Sequence, residues 1–135
     1  MSDHNARVIE EFRANAGQVG GFFENMHLLL LHHTGAKSGI TRIAPLVYQP
    51  LDDGNAAIFG SKGGAPNHPH WYLNISANPE VEVEVGTEKY SARARTTTGA
   101  EREAIWSRQK QDISFFADYE AKTEREIPVV VLERV

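Results

Sequence analysis

The dipeptide Asp53-Gly54 lies in a five-residue stretch, Leu51-Asp52-Asp53-Gly54-Asn55, between two apolar segments, and it sets the direction of the chain on both sides. Asp-Gly supplies the positive φ angles that a tight hairpin turn needs, so 42–49 and 56–60 are expected to run antiparallel. Similar punctuation recurs along the chain. An apolar run, Met26 to His33, precedes 42–49 across the short glycine-bearing stretch Thr34-Gly35-Ala36-Lys37-Ser38-Gly39-Ile40-Thr41-Arg42. Val81-Glu82-Val83-Glu84-Val85 alternates strictly and is followed by Gly86-Thr87-Glu88 and a further strand-like segment, Lys89 to Thr96. Ile127 to Leu132 ends the series. Pro45, inside the second segment, implies an edge or a bulge there.

Helical signals are few and short. Val8, Ile9 and Phe12 share a face within 3–16, ahead of Gly17, and Phe22 and Phe23 in the following connector are expected to plug the core. His70 to Ala77 reads as a short helix stopped by Asn78-Pro79. Thr98 with Glu101 makes a capping-box pattern that opens a helix toward Lys110, and the aromatic stretch Ile113 to Lys122 reads as another. Six strands joined mostly by hairpins predict a mainly β fold, a small six-stranded antiparallel barrel. A doubly wound sheet would need helices between most strands. The 135 residues make one domain, 1–135, with 1–19 as N-terminal helix and connector.

Charge narrows the chemistry. The formal net charge is −4, which argues against a nucleic-acid binder. Between Asn25 and Pro79 the only acids are Asp52 and Asp53, whereas the same stretch holds Lys37, Arg42, Lys62 and five of the six histidines. A cation-bearing, acid-poor region in an acidic chain points to an anionic small molecule. There is no cysteine, which removes thiol and iron–sulfur chemistry and fits a reducing, cytoplasmic compartment. No apolar run is long enough for a membrane span, and no signal pattern opens the chain. His32-His33 and His68-Pro69-His70 lack a carboxylate at ligand spacing, and adjacent strand residues face opposite ways, so no metal is expected.

The loop 34–42 has the glycines and cations of a phosphate grip. It is not a P-loop. That motif requires Gly directly before the Lys and again five residues earlier, where this chain has Ala36 and Leu31, and it requires a helix where Ile43 to Tyr48 reads as a strand. A second glycine loop, Ser61-Lys62-Gly63-Gly64, follows the third strand and leads into Trp71, Tyr72 and Asn74. The aromatic pair could line a planar cofactor, and Trp71 could equally be a core residue.

Taken in order, Thr34 to Arg42, Pro45-Leu46, Ser61 to Ala65, Asn67 to Asn74, Ala77-Asn78-Pro79 and Arg125 to Val130 resemble the deazaflavin-dependent nitroreductase and F420H2-dependent quinone reductase family, from about Gly20 to the C-terminus. The resemblance implies a split β-barrel of the FMN-binding split-barrel type and reduced coenzyme F420 as cofactor. It implies that Ala36, Lys37, Ser38 and Arg42 hold the phosphate and acidic tail, that Ile43, Ala44, Pro45, Leu46 and Val47 run along the cofactor, that Phe59, Gly60, Ser61 and Lys62 lie against the ring, and that His70, Trp71, Tyr72, Leu73 and Asn74 complete the pocket. Ser61, Tyr48 and Tyr119 are the candidate hydroxyls for substrate contact or proton delivery. The implied reaction is hydride transfer to a quinone, nitro or other activated organic acceptor, with no dedicated acid–base pair. Two departures stand out: the N-terminal segment is short, and 113–119 keeps one tyrosine where some relatives place several. Both turn the expectation from nitroimidazoles toward quinones, whose use would bring the protein close to a membrane, as monomer or homodimer. The alternatives are an FMN-binding split-barrel reductase, a non-catalytic coenzyme carrier, and a partner-binding β-domain without cofactor.

Overall fold

In the computed structural model, which describes residues 3–135, helix α1 (Asp3–Ala14) precedes strands β1 (Leu28–Thr34), β2 (Thr41–Pro50) and β3 (Ala56–Phe59). Helix α2 (His70–Ala77) leads to β4 (Glu80–Val85) and β5 (Glu88–Thr96), followed by α3 (Gly99–Asp112), α4 (Phe115–Lys122) and β6 (Val129–Arg134). The six strands close a barrel in the order β1-β2-β3-β6-β5-β4, and every pairing is antiparallel.

Strand alternation explains why several segments are apolar throughout. Leu29 and Leu31, Ala56 and Ile58, and Val130 and Leu132 fill the barrel interior, where α2 adds Trp71 and Ile75. Their neighbours face outward and are buried as well. Leu28 and Leu30 pack under α1 against Val8, Ile9 and Phe12. Ala57, Phe59, Val129 and Val131 pack under α3 and α4 against Trp106 and Phe116. Strands covered on both faces lose the polar half of their alternation. On β5 the outer face is wet instead, and Arg93 and Arg95 pair with Glu80, Glu101 and Glu133.

Several local expectations are corrected. Phe22 does not plug the core; it is 60% exposed, and only Phe23 is partly buried. Thr98 precedes α3 without any side-chain capping bond, and the other half of the box is lost as well, since the Glu101 carboxylate is taken by Arg95 at 2.7 and 3.0 Å. Pro45 makes no bulge: the β1–β2 register runs unbroken from Leu28↔Val47 to Thr34↔Thr41. The edge alternative holds, since the β2–β3 ladder spans only Tyr48 to Pro50 and leaves 41–47 unpaired on that side. The barrel closes here through a short ladder, and 41–47 forms an open seam along β2.

The outer face of β4 is not uniformly solvated either. Glu84 accepts from Arg13 of α1 at 3.2 and 2.8 Å, and from His32 Nε2 at 2.6 Å. The Arg13 hydrogen bond, opposed by burial and aided by His32, holds its carboxyl at about 2 against an ordinary 4.5. The unfolded chain therefore takes up this proton first as pH falls. Stability contributed by the tether, fully present above pH 4.5, is expected to drain away between 4.5 and 2, and Glu84→Gln should flatten the acid limb of a stability–pH curve.

Candidate functional site

The loop between β1 and β2 is shaped by its own backbone and by α2. Gly35 N–H donates to Ile40 O at 2.9 Å, Gly39 N–H to Gly35 O at 3.0 Å, and Ile40 N–H to Ser38 Oγ at 3.2 Å. A Cβ at Gly35 would collide with Ser38 Oγ, and Gly39 sits at φ +70, so both glycines are required by the turn. Asn74 then fastens the loop to α2: its Oδ1 accepts from Ala36 N–H at 3.0 Å, and its Nδ2 donates to His33 Nδ1 at 2.9 Å. Asn78 adds a bond to Thr34 O at 3.3 Å. The backbone N–H groups of Lys37 and Ser38 have no partner among the described residues.

Side-chain charge is distributed in the same sense. Arg13, Lys89, Arg93, Arg95, Arg102, Arg108, Lys110 and Arg134 each face a carboxylate. Lys37, Arg42 and Lys62 face none among the described residues. Eight cations of the flanks are thus paired with flank acids, whereas the three cations of the central stretch, like Arg7, Lys122 and Arg125, have no carboxylate partner among the described residues. Lys37, Ser38 and Arg42 line, with Gly35, Ala36, His70, Leu73 and Asn74, a cleft of about 430 Å³. Two free amides and two uncommitted cations around one cleft suit a phosphate or carboxylate.

A second, smaller pocket of about 220 Å³ lies along the same seam, lined by Pro45, Leu46, Val47, Phe59, Ser61, Lys62, Gly63 and Tyr119 under Phe22, Phe115 and Phe116. At roughly 3.3 Å per residue, Arg42 in the first cleft and Val47 in the second are about 17 Å apart along β2. The two pockets thus lie toward the two ends of the unpaired stretch of β2. The glycine loop at the second pocket is wound tightly: Lys62, Gly63 and Gly64 have φ of +47, +62 and +84. A Cβ at Gly64 would lie 2.9 Å from Tyr119 O, so only glycine lets α4 pack on this loop.

Most of the residues named from sequence therefore gather on one seam, with informative exceptions. Trp71 is 8% exposed and belongs to the barrel interior, so the core alternative describes it. Tyr72 turns its hydroxyl to Thr96 Oγ1 at 3.2 Å. Ile43 packs toward α1 and Ala44 toward the interior. Ala36 and Asn74 bond each other, which makes Asn74 the holder of the loop. Tyr48 is parted from Ser61 and Tyr119: it lines a different pocket, beside His27, Gln49 and Gln109. Ser61 and Tyr119 both line the second pocket, and neither hydroxyl has a protein partner among the described residues.

Sequence reasoning missed two parts of the site. Phe22 stacks on Phe115 with ring centroids 5.4 Å apart and forms an exposed apolar wall. Arg125 reaches the second loop from the segment before β6, donating to Gly60 O and Ala65 O at 3.0 Å and to Ser61 O at 2.9 Å. Arg125 is inside a quoted motif, yet nothing in its local sequence says where it reaches.

The family model of F420H(2)-dependent quinone reductases matches residues 5–134. The chain belongs to that family. An F420H(2)-dependent quinone reductase of Mycobacterium tuberculosis is 39% identical over 110 residues, 78% of this chain and 72% of the relative. Among solved structures, an F420-H2 dependent reductase superposes with a TM-score of 0.71 at 41% identity, covering 78% of this chain and 93% of its own. Another, described as a domain-swapped dimer, gives 0.74 at 36% identity and covers 97% and 95%. As a member of this quinone reductase family, the chain has the split barrel that its sequence resemblance implied.

Asn74 gives a first test within the site. His33 is buried, and it must stay neutral at Nδ1 to accept from Asn74; burial first, then Arg42 and His32, push its pKa below the ordinary 6.5. Removing the amide in Asn74→Leu should free the Ala36 N–H and weaken ligand binding in the first cleft by about 1 kcal/mol, roughly fivefold. Acid acts in the same direction. A protonated His33 is a donor facing a donor, so wild-type affinity should fall once the pH is low enough to protonate this imidazole, below its ordinary range, and the Asn74→Leu variant should lose that pH dependence in a titration from about pH 7.5 to about 5.

Proposed function

We propose that this protein is an F420-dependent oxidoreductase that passes a hydride from the reduced deazaflavin coenzyme to a quinone or another activated organic acceptor. The observation that carries this reading is the unpaired seam of β2, with uncommitted cations at one end and a glycine loop with free hydroxyls at the other. The residues present fit such a coenzyme, which has an anionic tail and a planar ring. When bound, a reduced 5-deazaflavin supplies a hydride and disfavours one-electron chemistry.

The protein's own residues do the rest. Lys37, Arg42 and the Lys37 and Ser38 amides hold the phosphate and acidic tail. Pro45, Leu46 and Val47 give an apolar wall along the seam, while Phe59, Gly60, Ser61 and Lys62 hold the ring end. Phe22, Phe115 and Tyr119 exclude water around the acceptor and favour a flat, apolar one, as a quinone is. Reducing a quinone to a hydroquinone takes a hydride and a proton. Ser61 Oγ and Tyr119 Oη are the hydroxyls that donate to the acceptor oxygen as its negative charge grows. Tyr48, in a separate pocket, takes no part. Nitro compounds remain secondary acceptors in this reading.

We place the enzyme in the cytoplasm on its cysteine-free composition, and propose a homodimer, a state supported by the dimeric description of one relative. No helix among the described residues is long and apolar enough to cross a membrane. The coenzyme assignment is tested by titrating F420 and FMN side by side against intrinsic tryptophan fluorescence. Saturable binding of F420 at micromolar concentration, with FMN far weaker, is expected. Preferential binding of FMN would overturn the choice of coenzyme.

A further inference from the structure

We propose that Arg125 is the positioning residue that turns two backbone amides of the Gly60–Ala65 loop toward the site. Three carbonyls of this loop, those of Gly60, Ser61 and Ala65, converge on one guanidinium within 3.0 Å. Arg125 meets no carboxylate among the described residues; its charge is spent on carbonyl dipoles, and the fourth neighbour is His68 Nδ1 at 3.0 Å. An imidazole nitrogen accepting from a guanidinium is unprotonated, and burial and Arg125 both push the His68 pKa below its ordinary value.

The consequence follows from peptide geometry. In a planar trans peptide the N–H of residue i+1 points opposite to the C=O of residue i. Drawing the Gly60 and Ser61 carbonyls toward Arg125 therefore turns the Ser61 and Lys62 N–H groups to the other side of the loop. Neither amide has a partner among the described residues, whereas Gly60, Gly64 and Ala65 donate to Pro128 O, Ser61 O and Lys62 O. Ser61 and Lys62 are also the residues of this loop that line the second pocket with Gly63. Lys62 has φ +47, which a residue with a Cβ adopts only when its surroundings impose it. Arg125 is the group that imposes it. A lysine at this position would present one ammonium where three carbonyls are each met by a different nitrogen of one planar fork.

The inference rests on the proposed coenzyme only for what the two amides hold. The loop geometry itself is separable and is read first. Amide hydrogen exchange is measured by NMR on the wild type, Arg125→Lys and Arg125→Gln, alongside the dissociation constant for F420. In both variants the Gly64 and Ala65 amides are expected to exchange at least about tenfold faster, with Val83 and Leu31 in the barrel unchanged. The F420 dissociation constant is expected to rise about tenfold, a change of about 1.4 kcal/mol. Unchanged exchange at Gly64 and Ala65 overturns the proposal. So does acceleration spread evenly over the barrel strands, which would make Arg125 a general structural residue. If the wild type fails to bind F420, the coenzyme reading falls, while the exchange data still decide whether Arg125 sets the loop.

Discussion

Replacing Lys37 and Arg42 together by alanine is expected to weaken binding of F420 by roughly two orders of magnitude, about 3 kcal/mol, at moderate salt. Each cation would meet a phosphate or carboxylate oxygen, and charge-assisted hydrogen bonds of this kind contribute about 1.5–3 kcal/mol apiece, reduced here because the loop is exposed. Neither side chain has a protein partner among the described residues, so the double variant should unfold within about 0.5 kcal/mol of the wild type. The salt dependence of affinity should shrink with the charges. Arg93→Ala, which removes a cation already paired with Glu80 on the β4–β5 face, serves as control and should leave affinity unchanged. An unaltered dissociation constant in the double variant would remove the clamp assignment for the 34–42 loop.

The largest effect on stability is expected at Trp106. This side chain is 1% exposed and lies against Phe59 and Phe116, with ring centroids 5.7 and 6.1 Å away. Its Nε1 donates to Glu120 Oε2 at 2.5 Å, so one residue of α3 ties down β3 and α4 together. Trp106→Ala removes an indole from a covered layer and should cost about 3–5 kcal/mol, seen as a lower urea midpoint at constant slope. The loss should reach the site as well, because Phe59 and Phe116 line the second pocket and Tyr119 stands on the same helix as Glu120. A variant that still folds should show a raised KM for the acceptor with the F420 tail contacts intact. A midpoint shifted by less than the equivalent of about 1 kcal/mol would mean that α3 and α4 are held by something other than this layer.

The contrast between these two sites shows what could be read from the chain and what could not. The barrel was legible because its rules are local. Asp53-Gly54 fixes a hairpin, Val81 to Val85 alternates, and the doubly covered strands β1, β3 and β6 are continuous apolar runs. The clamp was legible for a related reason, since two glycines and two cations fall within nine residues, and the acid-poor stretch around them is a one-dimensional pattern. What escaped depends on contacts between distant segments. Asn74 meets Ala36 across 38 residues, and Arg125 meets Gly60 across 65. Tyr48 and Ser61, on β2 and just after β3, open onto different pockets. Phe22 was misplaced because apolar character was taken as burial, whereas in this protein it forms a wall on the surface of a site. Thr98 shows the limit of motif reading at its smallest: the pattern was present, but the Thr98 side chain makes no capping bond and the glutamate is held by Arg95.

Turnover decides between a reductase and a protein that only holds the coenzyme. The measurement is the anaerobic oxidation of reduced F420, followed by recovery of the oxidised deazaflavin absorbance, with menadione as acceptor and with the Lys37→Ala/Arg42→Ala variant in parallel. Menadione-dependent oxidation by the wild type is expected, with first-order dependence on enzyme and a much higher KM for reduced F420 in the variant. Tight binding of the coenzyme with no acceptor-dependent oxidation, across menadione and a panel of other quinones and nitro compounds, would contradict it.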